Sequence, residues 1–179
     1  MVGLIRKHFS KLTPQIFLPL YKALIRPILE YASVIWNPSL TQDSKEIEKV
    51  QRRATKLVSG NFNLPYSDRL KRLKLDSLVF QRRRYDLIQV FRIVKEIDNV
   101  NFNSFFELHD GPNTRGHQLK LKKPRANSTF KLNSFSHRVI NDWNNLPAST
   151  VGKSSINSFK TALKADWDNH PDRYLEHWD

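Results

Sequence analysis

The stretch Asp76-Ser77-Leu78-Val79-Phe80-Gln81-Arg82-Arg83-Arg84-Tyr85-Asp86-Leu87-Ile88-Gln89-Val90-Phe91-Arg92-Ile93-Val94-Lys95-Glu96-Ile97 decides the fold class. Asp76 or Ser77 suits a helix N-cap, where a side-chain oxygen accepts from a free backbone N–H. Leu78, Tyr85, Ile88, Phe91 and Ile97 then recur at helical spacing, Val94 fills in, and Arg82 adds its aliphatic stem. No Gly or Pro interrupts the run, so the pattern predicts one long helix reaching about Ile97. Arg82-Arg83-Arg84 falls in its first half. A helix N-terminus is itself positive, so three cations there call for an anion, either that of a partner or Asp86 at helical spacing from Arg82 or Arg83.

Working outward, Ser67 caps a short helix through Leu73. Before it, Asp43 with Glu46 reads as a capping box opening a helix whose apolar face is Ile47, Val50, Ala54, Leu57 and Val58, with Gly60 as its C′ residue. The opposite face carries Lys45, Lys49, Arg52, Arg53 and Lys56. Earlier still, Thr13-Pro14 starts a helix with the stripe Phe17, Leu20, Leu24, Ile28, Ala32 and Trp36, interrupted at Pro27 and ended by Asn37-Pro38. Met1 to Leu12 reads as the first turns of a helix, since it lacks the apolar run of a secretory signal.

Downstream the texture changes. Phe102, Phe105 and Phe106 form an aromatic anchor, and His109 to Thr114 is turn-rich. His117 to Lys123 alternates Leu119 and Leu121 with Lys120 and Lys122, which predicts a short strand that Phe130 and Leu132 join as a second. Helix returns with Phe135, Val139, Ile140 and Trp143, stops at Leu146-Pro147, and resumes after Ser154 with Ile156, Phe159, Leu163 and Trp167. The expectation is a mainly α protein: a helical bundle of about five to six helices with one small β-hairpin or short strand pair. Its regions are a basic helical part over 1–97, a mixed part over 98–168 and an acidic tail over 169–179.

Charge narrows the function. Lys and Arg number 30 against 17 acids in 179 residues, a net +13. An excess of this size argues for a polyanionic partner, nucleic acid before an anionic membrane. The charge is concentrated: 45–95 holds fourteen Lys/Arg and five acids, and 115–138 holds seven and none. The candidate nucleic-acid contacts are Lys49, Arg52, Arg53 and Lys56; Arg82, Arg83 and Arg84; and Arg115, His117, Lys120, Lys122, Lys123 and Arg125. Each group also has the plainer reading of a solvated face, and the acid-free block is the stronger candidate. Phe130, Phe135 and Tyr85 interleave with the bases and suit stacking on unpaired bases, although aromatics at helical spacing more commonly serve a core. Trp143 and Trp167 read as core.

Several chemistries are not written here. Without cysteine there is no disulfide, thiolate metal site or thiol nucleophile. No Asp-Asp pair exists for two-metal phosphoryl chemistry, and Asp166 and Asp168 would diverge on a helix. His109, His117 and His137 lack ligand spacing, and no Gly-rich phosphate loop occurs. No metal or other cofactor is expected, and no window is long enough in apolar residues to span a membrane.

Leu20-Tyr21-Lys22-Ala23-Leu24-Ile25-Arg26-Pro27-Ile28-Leu29-Glu30-Tyr31-Ala32 and Val34-Ile35-Trp36-Asn37-Pro38 are followed by Ile47-Glu48-Lys49-Val50-Gln51-Arg52-Arg53-Ala54-Thr55-Lys56. Then come Arg69-Leu70-Lys71-Arg72-Leu73, Thr114-Arg115-Gly116-His117, Phe135-Ser136-His137-Arg138-Val139-Ile140-Asn141-Asp142-Trp143-Asn144-Asn145-Leu146-Pro147 and Ser158-Phe159-Lys160. In this order they resemble the thumb and post-thumb region of jockey- and CR1-like non-LTR retrotransposon reverse transcriptases. The resemblance reaches to about Trp167. It implies a lineage of RNA-directed DNA polymerases without the activity, since the fingers, palm and catalytic aspartates of that family are absent from these residues.

The expected function is therefore a non-catalytic nucleic-acid-binding fragment that contacts RNA template or target DNA through phosphate, with weak sequence preference. The alternatives are a protein-interaction remnant or a pseudogene product without function, and an accessory part active only beside a palm from another chain. The expected setting is a ribonucleoprotein in nucleus or cytoplasm, not a secreted protein.

Overall fold

The computed structural model describes residues 2–9, 11–111 and 116–169. Arg115 and the acidic tail beyond Asn169 lie outside the described residues. The chain divides into two compact units between Arg82 and Arg83, inside the long helix.

The first unit is built from α1 (Val2–His8), α2 (Pro14–Leu20), a π-helical turn (Tyr21–Ile25), α3 (Arg26–Glu30), α4 (Ser33–Trp36), α5 (Thr41–Lys56), α6 (Tyr66–Leu73) and the opening of α7 (Leu78–Val94). Pro27 explains the break after α2. It has no N–H to give, and its ring would collide with the carbonyl four residues back, so the chain widens and the Arg26 N–H reaches the Tyr21 carbonyl instead. The wider turn shifts the register. Phe17, Tyr21 and Ile25 are the buried residues, and the expected continuation through Leu24, Ile28 and Trp36 is corrected: Ile28 is 66% exposed. Ala32 then takes a left-handed conformation (φ 51°) before α4 begins.

Helix α5 starts at Thr41, two residues before the expected cap, and Leu40 makes no side-chain cap bond. The Glu46 carboxylate accepts from Gln42 (3.1 Å) and Lys49 (2.5 Å), its neighbours along the helix. The core around this helix joins Ile5, Leu12, Phe17, Tyr21, Ile25, Ala54, Val58, Leu73 and Leu75. A single parallel bridge ties Leu12 to Val58. Gly60 has φ +80°, and a Cβ there would meet the Arg72 guanidinium at 3.1 Å. That guanidinium donates to the Gly60 carbonyl and the Asn61 side chain, so Arg72 serves the turn.

Helix α7 is capped by Ser77, whose Oγ accepts from the Phe80 N–H at 3.2 Å. It ends at Val94, three residues short of the expectation. Glu96 turns left-handed (φ 53°), and the Ile97 N–H closes on the Arg92 carbonyl at 2.9 Å, a C-terminal capping turn made without glycine.

The second unit continues with a 3₁₀ turn (Phe102–Ser104), α8 (Thr129–Asn133), α9 (Phe135–Asn144), α10 (Ala148–Val151) and α11 (Ile156–Asn169). Trp143 and Trp167 are core, as expected, together with Phe91, Phe159 and Leu163. Phe91 stacks on Phe159 with ring centroids 4.3 Å apart.

The helical class stands, but the β-hairpin does not: among the described residues there is no strand pair beyond isolated bridges, and the helices are more numerous and shorter than five to six. Phe130 and Leu132, expected in the second strand, lie on α8, because Ser128 caps that turn by accepting from the Lys131 N–H at 3.2 Å. The segment around Leu121 is extended, yet its partners differ. One edge meets residues 107–109 through His109 N–H to Lys120 O (2.9 Å) and Lys122 N–H to Glu107 O (2.8 Å). On the other edge the Asn144 amide replaces a strand, accepting from the Leu121 N–H and donating to its carbonyl, both at 2.8 Å. Trp143 adds an indole bond to Leu119 O at 2.8 Å. No described helix is long and apolar enough to cross a membrane.

Candidate nucleic-acid interface

Lys45, Lys49, Arg53 and Lys56 are exposed along α5 at spacings of three and four residues, so they form one stripe. Arg52 is half-buried, its guanidinium 4.6 Å above the Tyr66 ring, where Arg69 also lies at 5.3 Å. Among the described residues Lys49 alone of the stripe has an acidic partner, Glu46, in an exposed pair of little energetic weight.

What turns the stripe outward is a polar network beneath it. Glu48, Gln51 and Thr55, on the opposite face of α5, are each at most 1% exposed. Tyr21 donates its hydroxyl to Gln51 Oε1, and Gln51 Nε2 donates to Tyr66 Oη and the Asp76 carbonyl, both at 2.9 Å. The Tyr66 hydroxyl donates in turn to Glu48. The two Glu48 oxygens accept from the Leu78 N–H at 3.2 and 3.0 Å, so a side chain thirty residues away caps α7. Burial pushes the Glu48 carboxyl above its usual range; the Tyr66 hydroxyl, the α7 backbone donors and the Arg82 guanidinium oppose the shift. Burial also raises both tyrosines. Sequence reasoning placed Ile47 and Val50 on the inner face and missed Glu48, Gln51 and Thr55. Two polar residues and an acid on a charged helix look like surface.

Arg82, Arg83 and Arg84 of α7 are partly engaged within the chain. Arg82 is 1% exposed and donates from Nε to Asn37 Oδ1 at 2.9 Å. Arg83 makes a two-bond pair with Asp142, both at 3.1 Å. Asp86 accepts from Arg138, with both bonds at 2.9 Å. Arg84 is half-buried. Arg82 and Arg83 thus serve the fold.

The acid-free block is acid-free in sequence only. Lys122 Nζ lies 3.0 Å from a Glu107 carboxylate oxygen and 3.9 Å from one of Asp110, because the extended segment is laid against residues 107–109. Lys123 donates to Asn141 Oδ1 at 3.1 Å, Lys120 is half-buried, and Arg125 is exposed. Lys131, which was not among the expected contacts, is exposed on α8.

His117 faces inward. Its Nε2 lies 3.1 Å from the Trp143 carbonyl, which makes Nε2 the donor, and its ring meets the Trp143 ring edge-on. Nδ1 is buried with no partner among the described residues. Burial therefore lowers its pKa, and Lys120 lowers it further against the hydrogen bond. A histidine whose folded pKa is depressed stabilises the fold above its unfolded pKa, and that stability is lost as pH falls through about 6.5 and below. Urea unfolding at pH 8 and pH 5 is expected to show a decline toward acid that His117→Gln, which keeps an Nε2-like donor, flattens. An unchanged pH dependence in the variant would assign the decline elsewhere.

Among the described residues no group of three or more His, Asp or Glu comes together as a metal ion would require. An open depression of about 600 Å³ lies over residues 94–103, and its Asp98 is held by Arg92 and Gln89. No family model matches the chain, and no curated protein or solved structure matches it either.

Proposed function

We propose that this chain is a non-catalytic nucleic-acid-binding segment of the reverse-transcriptase lineage that its sequence resembles. It holds RNA template or target DNA through phosphate contacts. The observation that carries the reading is the α5 stripe: folding buries Glu48 beneath the helix while leaving Lys45, Lys49, Arg53 and Lys56 in solvent. The exposed face is thus more positive than the sequence of the helix, which is the disposition a phosphate backbone favours. Lys123, Arg125 and Lys131 extend the exposed positive charge in the second unit. The setting that follows is a ribonucleoprotein of nucleus or cytoplasm.

The test is binding of a fluorescent RNA or DNA duplex across a salt series. With about four to six phosphate contacts the logarithm of affinity should fall against log salt with a slope of roughly −4 to −5, and scrambling the duplex sequence should change little. A flat salt response, or no binding at low salt, would overturn the proposal.

A further inference from the structure

Phe130 is 86% exposed, more than any other large apolar side chain among the described residues. The backbone beneath it is fixed. Ser128 caps α8, and the Ser134 hydroxyl donates to the Lys131 carbonyl at 2.7 Å. Arg138 donates to the Asn133 carbonyl at 3.1 Å while its other bonds lock it to Asp86. His137 Nε2 lies 3.2 Å from the Pro124 carbonyl and ties down the segment that precedes the turn. The ring is thus displayed on an ordered turn. Lys123, Arg125 and Lys131 are exposed within seven residues of it, and no acid occurs between 111 and 141.

Resting on the phosphate-binding reading above, we propose that Phe130 is a stacking platform for an unpaired base, so that the second unit recognises single-stranded nucleic acid. An aromatic face serves any base, because every base has a π-face. The flanking cations suit the adjoining phosphates and so favour a nucleotide over an acidic-poor protein or a lipid tail. Presenting the ring from a hydrogen-bonded turn lowers the backbone ordering cost on binding. In a duplex the bases are already stacked on each other, and the platform has nothing to receive.

The test compares a 12-nucleotide oligo(dT) with a 12-base-pair duplex at one salt concentration. Phe130→Ala should weaken the single strand about tenfold, leave the duplex within twofold, and leave the salt slope unchanged. Phe130→Trp should keep the single-strand affinity. A 2-aminopurine base within the oligonucleotide should be quenched on binding by the unmodified chain and much less by Phe130→Ala. Equal loss on both substrates, no loss on the single strand, or a Trp variant as weak as Ala would overturn the stacking role while phosphate binding stood. Loss by Phe130→Ala of binding to anionic phospholipid vesicles, with oligonucleotide binding intact, would assign the ring to a membrane surface. Failure of the unmodified chain to bind either nucleic acid would overturn both readings.

Discussion

Glu48→Ala is expected to destabilise the first unit by about 3–5 kcal/mol, the cost of breaking a buried charged group out of its hydrogen bonds. The substitution strands the Leu78 N–H and the Tyr66 hydroxyl in a dry interior, and each lost partner costs about 1–3 kcal/mol. It also removes a carboxylate from the N-terminus of α7, where negative charge is favoured. Glu48→Gln keeps the shape and one acceptor but turns an NH₂ toward a donor, so it should cost about half as much. The pH response gives a second reading. A carboxyl whose folded pKa lies above its unfolded value adds stability below the unfolded pKa, near 4.3, and loses it as pH rises through the raised value. That trend should vanish in Glu48→Gln. Denaturant unfolding followed by circular dichroism measures both, and an Ala variant within about 1 kcal/mol of the unmodified chain would show that the network does not hold α7.

The two units differ in how much of them the sequence reveals. Trp143, Phe159, Leu163 and Trp167 were legible as core because bulky apolar residues at helical spacing have one cheap destination. The α2 stripe was not, because an interruption at Pro27 predicts a kink or a split but not the π turn, which rotates everything after Ile25. The hairpin failed for a different reason. Alternation marked residues 117–123 as a strand, but only Leu121 forms a bridge there, to Leu108, and the Asn144 side chain supplies hydrogen bonds that a second strand would have made. Buried charge was the least legible of all. Arg82, Asp86 and Glu48 are each at most 5% exposed, and each is inside because its partner comes from more than thirty residues away or from a helix end. Charge counted along the chain overstates the exposed positive charge, since it credits Arg82 and Arg83 to the surface and misses the acids laid beside Lys122.

That correction reverses an expectation about where binding resides. By sequence, replacing Lys120, Lys122, Lys123 and Arg125 with Gln should outweigh the same change at Lys45 and Lys49, which have Glu46 and Glu48 beside them, because no acid lies near the former in the chain. In the fold Lys122 is flanked by Glu107 and Asp110, Lys123 is engaged by Asn141, and Lys120 is half-buried. Of Lys45, Lys49, Arg53 and Lys56 on α5, Lys49 alone pairs with an acid among the described residues. Replacing Lys45, Lys49, Arg53 and Lys56 together with Gln is therefore expected to lower the salt slope for duplex binding by about three to four units, at roughly 0.9 per phosphate contact. Affinity at 50 mM salt should fall on the order of a hundredfold. The four changes in the 120–125 segment should lower the slope by only about one to two. Both sets lie mostly at the surface, where single changes usually stay within about 0.5 kcal/mol, so unfolding midpoints should barely move and the comparison reads binding. A larger loss from the second set would move the phosphate interface to the second unit. Equal and negligible losses from both would mean that the exposed cations serve solubility, and that the nucleic-acid reading of this chain is wrong.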